Sequence, residues 1–384
     1  MSTLHPAHPT CPPHIGTLNS GATGTIADVA GVRVGHCTLD AGAVQTGVTV
    51  VMPHAGDPYR GKVPAAVSII NGFGKSIGLT QIDELGVLET PIALTNTFGV
   101  GALAQAQIRA AIAANPCIGR EWPTVNPLVF ECNDGYLNDI QALAVADEHY
   151  RAACDAASHA FERGSVGAGR GMSSFDLKGG IGTASRVVEV QGTRCTVGAL
   201  VLANFGRLPM LTVTGAPLGR MLAERTVAGM AGGGYPVNPA VNPAVNPAVN
   251  PAARRAEPEQ GSIIMLIALD APLDARQLRR VSMRAAAGLA RTGSSYGHGS
   301  GDIAMAFSTA YTLAHDATMH PMPALFADAH LDALFQASAD CVEQAILDAL
   351  WQATTVQGRD GHVRLALRDA APDLIAQLER GARL

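Results

Sequence analysis

The chain has 384 residues, 47% of them hydrophobic and 15% charged, with a formal net charge of −5 in which both signs are interspersed. That is enough apolar material for one large core or two smaller ones, and it excludes a basic nucleic-acid surface or a membrane-surface patch. No apolar run reaches the roughly 18 residues needed to span a bilayer, and 42 glycines favour a loop-rich α/β or α+β enzyme over a helical bundle.

Residues 1–22 read as a disordered tail. The stretch to Thr17 is rich in Pro and His and has neither a basic nor an apolar signal region, so the expected compartment is the cytoplasm. His5, His8, Cys11 and His14 recur at three-residue spacing, as metal ligands on a helix would. Pro6, Pro9, Pro12 and Pro13 break that helix, so no metal or other cofactor is expected. Seven scattered cysteines form no CxxC pair, and an odd number suits reduced thiols.

Val32–His36 and Thr46–Met52 predict short strands, and Val67–Ile70 predicts another that ends in Asn71-Gly72-Phe73-Gly74-Lys75-Ser76. The Gly-Lys-Ser ending is not a phosphate loop. That motif needs a glycine five residues before Gly74, where Ile69 stands. Thr90–Thr97 reads as a strand feeding an alanine-rich helix over about 102–114. Pro127–Cys132 reads as a strand, followed by an Asn133-Asp134-Gly135-Tyr136 turn and a helix over about 139–163. The glycines of 164–182 lack the strand and spacing of a dinucleotide fingerprint and read as flexible turns. Arg186–Val190, Thr196–Asn204 and Leu211–Val213 suggest an antiparallel meander.

Val-Asn-Pro-Ala repeats then begin at Val237, within a low-complexity linker over 236–260. A proline every fourth residue excludes helix and central strand. The linker gives way abruptly to Gly261-Ser262 and to Ile263–Leu269, an uninterrupted apolar run that predicts a fully buried strand. Asp274 and Gln277 form a capping box that opens a helix to about Ala290. Its arginines, Arg276, Arg279, Arg280 and Arg284, read as a solvated face. Ala304–Ala310 is strand-like. Leu331, Leu334, Phe335, Val342, Ile346 and Leu350 place one buried stripe on a long helix ending near Trp351.

A serine between an exposed repeat and a core strand makes sense if the bond before it is cut. A hydroxyl is a weak nucleophile without a base, and there is no G-x-S-x-G elbow to supply a hydrolase triad. His298, in a Gly-rich segment, could act as a base or be an ordinary loop residue. An N-terminal Ser262 would carry its own base, because an α-amine has an unperturbed pKa of about 7.7–8.0. Before cleavage the same hydroxyl can attack the Gly261 carbonyl, which no side chain shields.

The chain resembles the DmpA-like serine aminopeptidases, which include L-aminopeptidase D-amidase/esterases and β-peptidyl aminopeptidases. The similarity runs from about Ile26 to the long C-terminal helix. It is carried by Ile26–His36, Asn71–Lys75, Thr90–Thr97, Asn133–Asp139, Lys178–Arg186, Leu202–Gly206 and Gly299–Asp302, in that order. The resemblance implies an α+β fold, an αββα sandwich of two sheets between helix layers of the N-terminal-nucleophile-hydrolase type. It implies one catalytic domain over 23–384, self-cleaved between Gly261 and Ser262 and assembled as a homotetramer. The expected substrates are short peptides, amides or esters with a free N-terminal β-amino, L- or D-residue.

By the same resemblance Ser262 is nucleophile and base, Asn204 donates its amide to the oxyanion, and Ser300 and Asp302 hold the Ser262 amine. Relatives can carry a glutamate at the position of Asp302, with a longer reach. Glu131 is the candidate partner of the substrate ammonium, or else a structural carboxylate. The related ornithine acetyltransferases share the self-cleaved architecture and make an acyltransferase the alternative, although their nucleophile is threonine. A binding protein that is never cut is the non-enzymatic reading.

Overall fold

The computed structural model describes residues 11–232 and 260–379. The Val-Asn-Pro-Ala repeats, and the linker before Gln260, lie outside the described residues. A four-stranded sheet has the order β1-β2-β5-β6, from β1 (Arg33–Leu39), β2 (Thr46–Met52), β5 (Ile92–Asn96) and β6 (Val129–Cys132). A larger sheet runs β13-β3-β12-β11-β10-β9. Its strands are β3 (Gly61–Gly72), β9 (Gly180–Val190), β10 (Thr193–Asn204), β11 (Gln260–Leu269), β12 (Gly299–Ser308) and β13 (Leu313–Ala314), with β4 (Val87–Leu88) beside β3. A small hairpin joins β7 (Ser173–Ser174) to β8 (Leu177–Lys178).

The apolar run after Ser262 shows why the chain makes two sheets. Along β11 the side chains alternate between faces. Ile263, Met265, Ile267 and Leu269 enter a core with Leu334, Val342, Ile346 and Leu350. Ile264, Leu266 and Ala268 enter another, with Leu94 and Phe130 of the small sheet. Both faces are therefore dry, and burying each large aliphatic side chain contributes about 1.5–3 kcal/mol. The far face of the small sheet (Val48, Val50, Ala93, Val129) packs on Val100 and Leu103 of one helix and Tyr150 and Ala153 of another. The layers are thus helix, sheet, sheet, helix, an αββα sandwich.

The α-helices among the described residues are α1 (Leu79–Leu85), α2 (Val100–Ala114), α3 (Asp147–Asp155), α4 (Leu218–Gly232), α5 (Ala275–Ser282), α6 (Ala285–Arg291), α7 (Asp332–Gln352), α8 (Leu367–Ala370) and α9 (Pro372–Glu379). The capping box of α5 is formed, with Gln277 N–H donating to Asp274 Oδ1 at 2.7 Å. The helix expected to run to Ala290 breaks after Ser282. The break turns α6 onto α7, where Gly288 packs so closely that a Cβ would lie 2.4 Å from the Ala339 carbonyl.

Other expectations need correction. The helix drawn over 139–163 is only α3. Leu143 has φ +49° and ends a single turn before it, and beyond it Ser158 exchanges backbone hydrogen bonds with Val34 at the edge of β1. Leu211 and Val213 are buried, but the segment is not a strand; a turn at Thr214, φ +48°, follows it. Of the expected meander only the β9–β10 pair forms; β11, much later in the chain, takes the other side of β10 in antiparallel, and β12 joins β11 in parallel after the α5–α6 crossover.

α7 is buried all round from Ala337 to Trp351, not along one stripe. Its polar residues are partnered: Asp340 with Arg291 at 2.7 Å, Asp348 with Arg163 at 3.0 Å, and Gln344 with the Ile15 amide at 2.8 Å. That last contact corrects the reading of residues 1–22 as one tail. Residues 1–10 lie outside the described residues, whereas Ile15 is buried on α7 and its carbonyl accepts from Arg186 at 2.7 Å.

Candidate active site

Ser262 sits at the start of β11, the central strand of the large sheet, between Asn204 of β10 and Gly301 of β12. Gly261 faces Ser300 on the next rung. Gly261 has φ +131°, and a Cβ there would lie 2.1 Å from the Asn204 carbonyl oxygen. Only glycine tolerates both the angle and the approach. The Ser262 hydroxyl donates to the Gly261 carbonyl oxygen at 2.7 Å, so it already lies against the group that self-cleavage would attack.

Ser262 and Asn204 are both nearly buried, and alternation puts both on the face of Ile264 and Leu202, toward the small sheet. The Asn204 amide is oriented by two backbone partners. Its Oδ1 accepts from Ser173 N–H at 2.9 Å, and its Nδ2 donates to the Asn133 carbonyl at 3.0 Å. An amide nitrogen carries two protons, which leaves the second for a substrate oxygen.

Those two partners rest on two buried titratable side chains, Lys178 and Asp134. Lys178, fully buried, donates to the carbonyls of Gly169, Met172 and Gly179 at 2.8–2.9 Å and so pins the segment that carries Ser173. Burial holds its ammonium well below the ordinary lysine range. Asp134, next to Asn133, accepts from Asn138 at 3.0 Å. Burial pushes its carboxyl up to about 7, against hydrogen bonds and the Lys178 charge that act to lower it.

On β12 the Ser300 hydroxyl donates to Asp302 Oδ1 at 2.6 Å, and both residues are fully buried. Alternation places this pair on the side of Ala304 and Ala306, facing the helices. Ser300 and Asp302 therefore approach the Gly261–Ser262 peptide from the opposite face to Asn204.

Glu131, buried at the end of β6, is held by two donors. The Lys75 amide reaches one oxygen at 2.7 Å, and the Thr97 hydroxyl donates to the other. Gly74 connects it to the strand mouth: a Cβ there would lie 3.5 Å from Glu131 Oε1 and 3.8 Å from Gly301 Cα. Cys132 also ties β6 to the large sheet through its thiol and the Leu202 carbonyl, 3.6 Å apart. Burial first, then the carboxylates of Glu131 and Asp302, push that thiol well above its ordinary range. Glu131 and Asp302 are thus within electrostatic reach of one buried atom.

Sequence reasoning missed Lys75, Thr97, Asn133 and Ser173 as holders of the site. Lys75, Thr97 and Asn133 lie in the blocks that carry the family resemblance, but three of these four contacts are made through backbone atoms, which leave no side-chain signature. His298 is in contact with the Phe73 ring, 6.0 Å between centroids. No helix among the described residues is long and apolar enough to cross a membrane.

A doubly buried strand that opens on a Gly-Ser pair, with an oriented amide beside it, is the arrangement of an N-terminal-nucleophile hydrolase. Residues 24–364 match Peptidase family S58, and the chain belongs to that family. It is 38% identical over 381 residues to the β-peptidyl aminopeptidase BapA of Sphingosinicella microcystinivorans, covering 95% of this chain and 90% of that one. Its structure is similar to that of the PH0078 protein of Pyrococcus horikoshii OT3, with a TM-score of 0.84, 43% identity and 97% and 98% of the two chains covered. It is also similar to the L-aminopeptidase D-Ala-esterase/amidase of Ochrobactrum anthropi, a prototype serine aminopeptidase with a variant Ntn-hydrolase fold. There the TM-score is 0.78, with 31% identity over 94% and 96% of the chains. The chain is accordingly a peptide-bond hydrolase, an aminopeptidase of the Ntn type.

Proposed function

We propose that the chain cuts itself between Gly261 and Ser262 and that the freed Ser262 then hydrolyses N-terminal β-aminoacyl residues from short peptides and amides. The observation that carries this is the Gly261–Ser262 peptide itself. Its serine hydroxyl lies 2.7 Å from the preceding carbonyl oxygen, in a backbone conformation that only glycine adopts readily. Attack of Oγ on that carbonyl carbon transfers the acyl chain from nitrogen to oxygen, and water then hydrolyses the ester. The products are residues 1–261 and 262–384.

In the processed enzyme the new amine lies in the plane of the sheet, where the Ser300–Asp302 pair can reach it. As a neutral amine it takes the Ser262 hydroxyl proton while Oγ attacks the substrate carbonyl, and it returns a proton to the leaving amine. The free proton of Asn204 Nδ2 stabilises the oxyanion. Glu131 pairs with the substrate ammonium, which positions the free N-terminus and rejects blocked peptides. The resulting seryl ester is hydrolysed by water, which regenerates the hydroxyl. The β-amino preference is supported by the greater identity to the β-peptidyl aminopeptidase than to the L-aminopeptidase.

The test is hydrolysis of β-alanyl, L-alanyl and D-alanyl amides and of the N-acetylated β-alanyl amide. The reading expects the highest kcat/KM for the free β-alanyl amide and none for the acetylated one. Equal turnover of the acetylated substrate contradicts it.

A further inference from the structure

Asn71 is the one polar side chain of β3 that reaches the start of β12. It stands opposite Asp302, next to an irregularity in the β3–β12 ladder. Ile69 pairs with Ile303 and Asn71 with Asp302, so Ile70 is an extra residue on β3. Without that bulge, alternation would aim Asn71 at the small sheet, like Val67. With it, Asn71 takes the helix-facing side that Ser300 and Asp302 share.

From there its Nδ2 donates to the Gly297 carbonyl at 2.9 Å and to that of Ser300, with the His298 carbonyl at 3.4 Å. The turn it grips is closed by Ser300 N–H donating to Gly297 O at 2.9 Å, and Ser300 in turn holds Asp302.

We infer that Asn71 is a positioning residue for the nucleophile: its amide fixes the Gly297–Ser300 turn, and through it the Ser300–Asp302 pair beneath Ser262. The inference rests on the reading of Ser262 as a self-released N-terminal nucleophile. The Ile70 bulge then has a purpose, since it delivers a two-proton donor to a turn whose carbonyls converge. Displacing the turn moves Ser300 and Asp302 together, because the hydrogen bond between them is retained. Misplacement of a supporting group by about 1 Å can lower a rate about a hundredfold.

The titratable groups around the strand mouth are Asp302 on β12, Glu131 and Asp134 at and beyond the end of β6, Lys178 on β8 beside Asp134, Lys75 after β3 and His298 in the turn itself. His298 and Asp302 are the two that move with Asn71, and Asp302 is the one bonded to Ser300 beside the Ser262 strand. A carboxylate near an amine favours its protonated form. Loosening Asp302 therefore lowers the pH at which the Ser262 amine becomes a base.

The experiment compares wild type, Asn71→Ala and Asn71→Ser in the full chain. A denaturing gel follows self-cleavage with time, and kcat, KM and the pH profile of kcat/KM are measured on the cleaved protein. Asn71→Ala is expected to cleave itself about a hundredfold more slowly, to lose kcat with KM unchanged, and to shift the acid limb of kcat/KM to lower pH. Asn71→Ser, which keeps one donor, lies between the two and is the variant read if Asn71→Ala does not fold. A variant with wild-type cleavage rate, kcat and acid limb overturns the inference, as does a lowered melting temperature with an unmoved limb. A wild type that stays uncut overturns the reading of Ser262 itself, a result distinct from a cut wild type with indifferent Asn71 variants.

Discussion

Ser262 and Asn204 occupy one rung of the β10–β11 ladder and point to the same side of the large sheet. The same asparagine's carbonyl crowds Gly261, so its side chain and its backbone bear on the two residues of the peptide to be cut. Asn204→Ala gives up the Ser173 and Asn133 hydrogen bonds as well as the oxyanion donor, and with the β10–β11 backbone ladder intact it is expected to keep the fold. Removing one such donor typically lowers kcat by about 10²–10³. Circular dichroism and kcat on a β-alanyl amide check this; unchanged kcat removes Asn204 from the mechanism.

Gly261→Ala places a methyl group on the Asn204 carbonyl, at a φ that side chains avoid. The expected outcome is a precursor destabilised by about 1–3 kcal/mol, with self-cleavage slowed or abolished. Denaturant unfolding of this variant in a Ser262→Ala background, against Ser262→Ala alone, isolates the backbone effect from processing. Equal midpoints would show that the strand start can relax around the methyl group.

Glu131→Gln keeps the acceptor for the Lys75 amide, turns an NH2 toward the Thr97 hydroxyl, which can rotate to accept from it, and removes the charge. A hydrogen bond to a charged group is worth about 1.5–3 kcal/mol, so kcat/KM for free-amine substrates is expected to fall about 10- to 100-fold. Self-cleavage, which involves no substrate ammonium, is expected to proceed normally. Loss of both would make Glu131 a structural carboxylate.

Asp134 supplies a pH signature. Its carboxyl titrates at about 7 in the folded protein, against 3.8 ordinarily. Between those values the folded chain holds a proton that the unfolded chain has released, so this group's contribution to stability falls as pH rises from about 4 to about 7 and is flat above. Asp134→Asn removes that dependence. The melting temperature of the variant relative to wild type is expected to climb through the window; a constant difference contradicts the assignment.

The parts of the fold legible in the sequence are those decided locally or by pattern. The run Ile263–Leu269 reads as a strand dry on both faces, and the Asp274–Gln277 box as a helix start, because burial and capping act on neighbouring residues. What was missed depends on distant contacts. The burial of α7 on all sides needs Ile15 and Arg291, and the end of α3 needs the edge of β1. The Ile70 bulge is visible only once β12 is in register, so Asn71 reads in the sequence as a turn residue and in the structure as a clamp on Ser300. Glycine at 261 was expected for access to its carbonyl; the approach of the Asn204 oxygen adds a second and stricter reason.

Every role proposed for the site requires that Ser262 become an N-terminus. Intact-mass measurement and N-terminal sequencing of the purified full chain, beside Ser262→Ala, test it directly. Wild type is expected to give two fragments, the smaller beginning Ser262-Ile263-Ile264, and the variant one uncut chain. A single full-length wild-type chain that hydrolyses aminoacyl amides, or fragments that begin elsewhere, would contradict it.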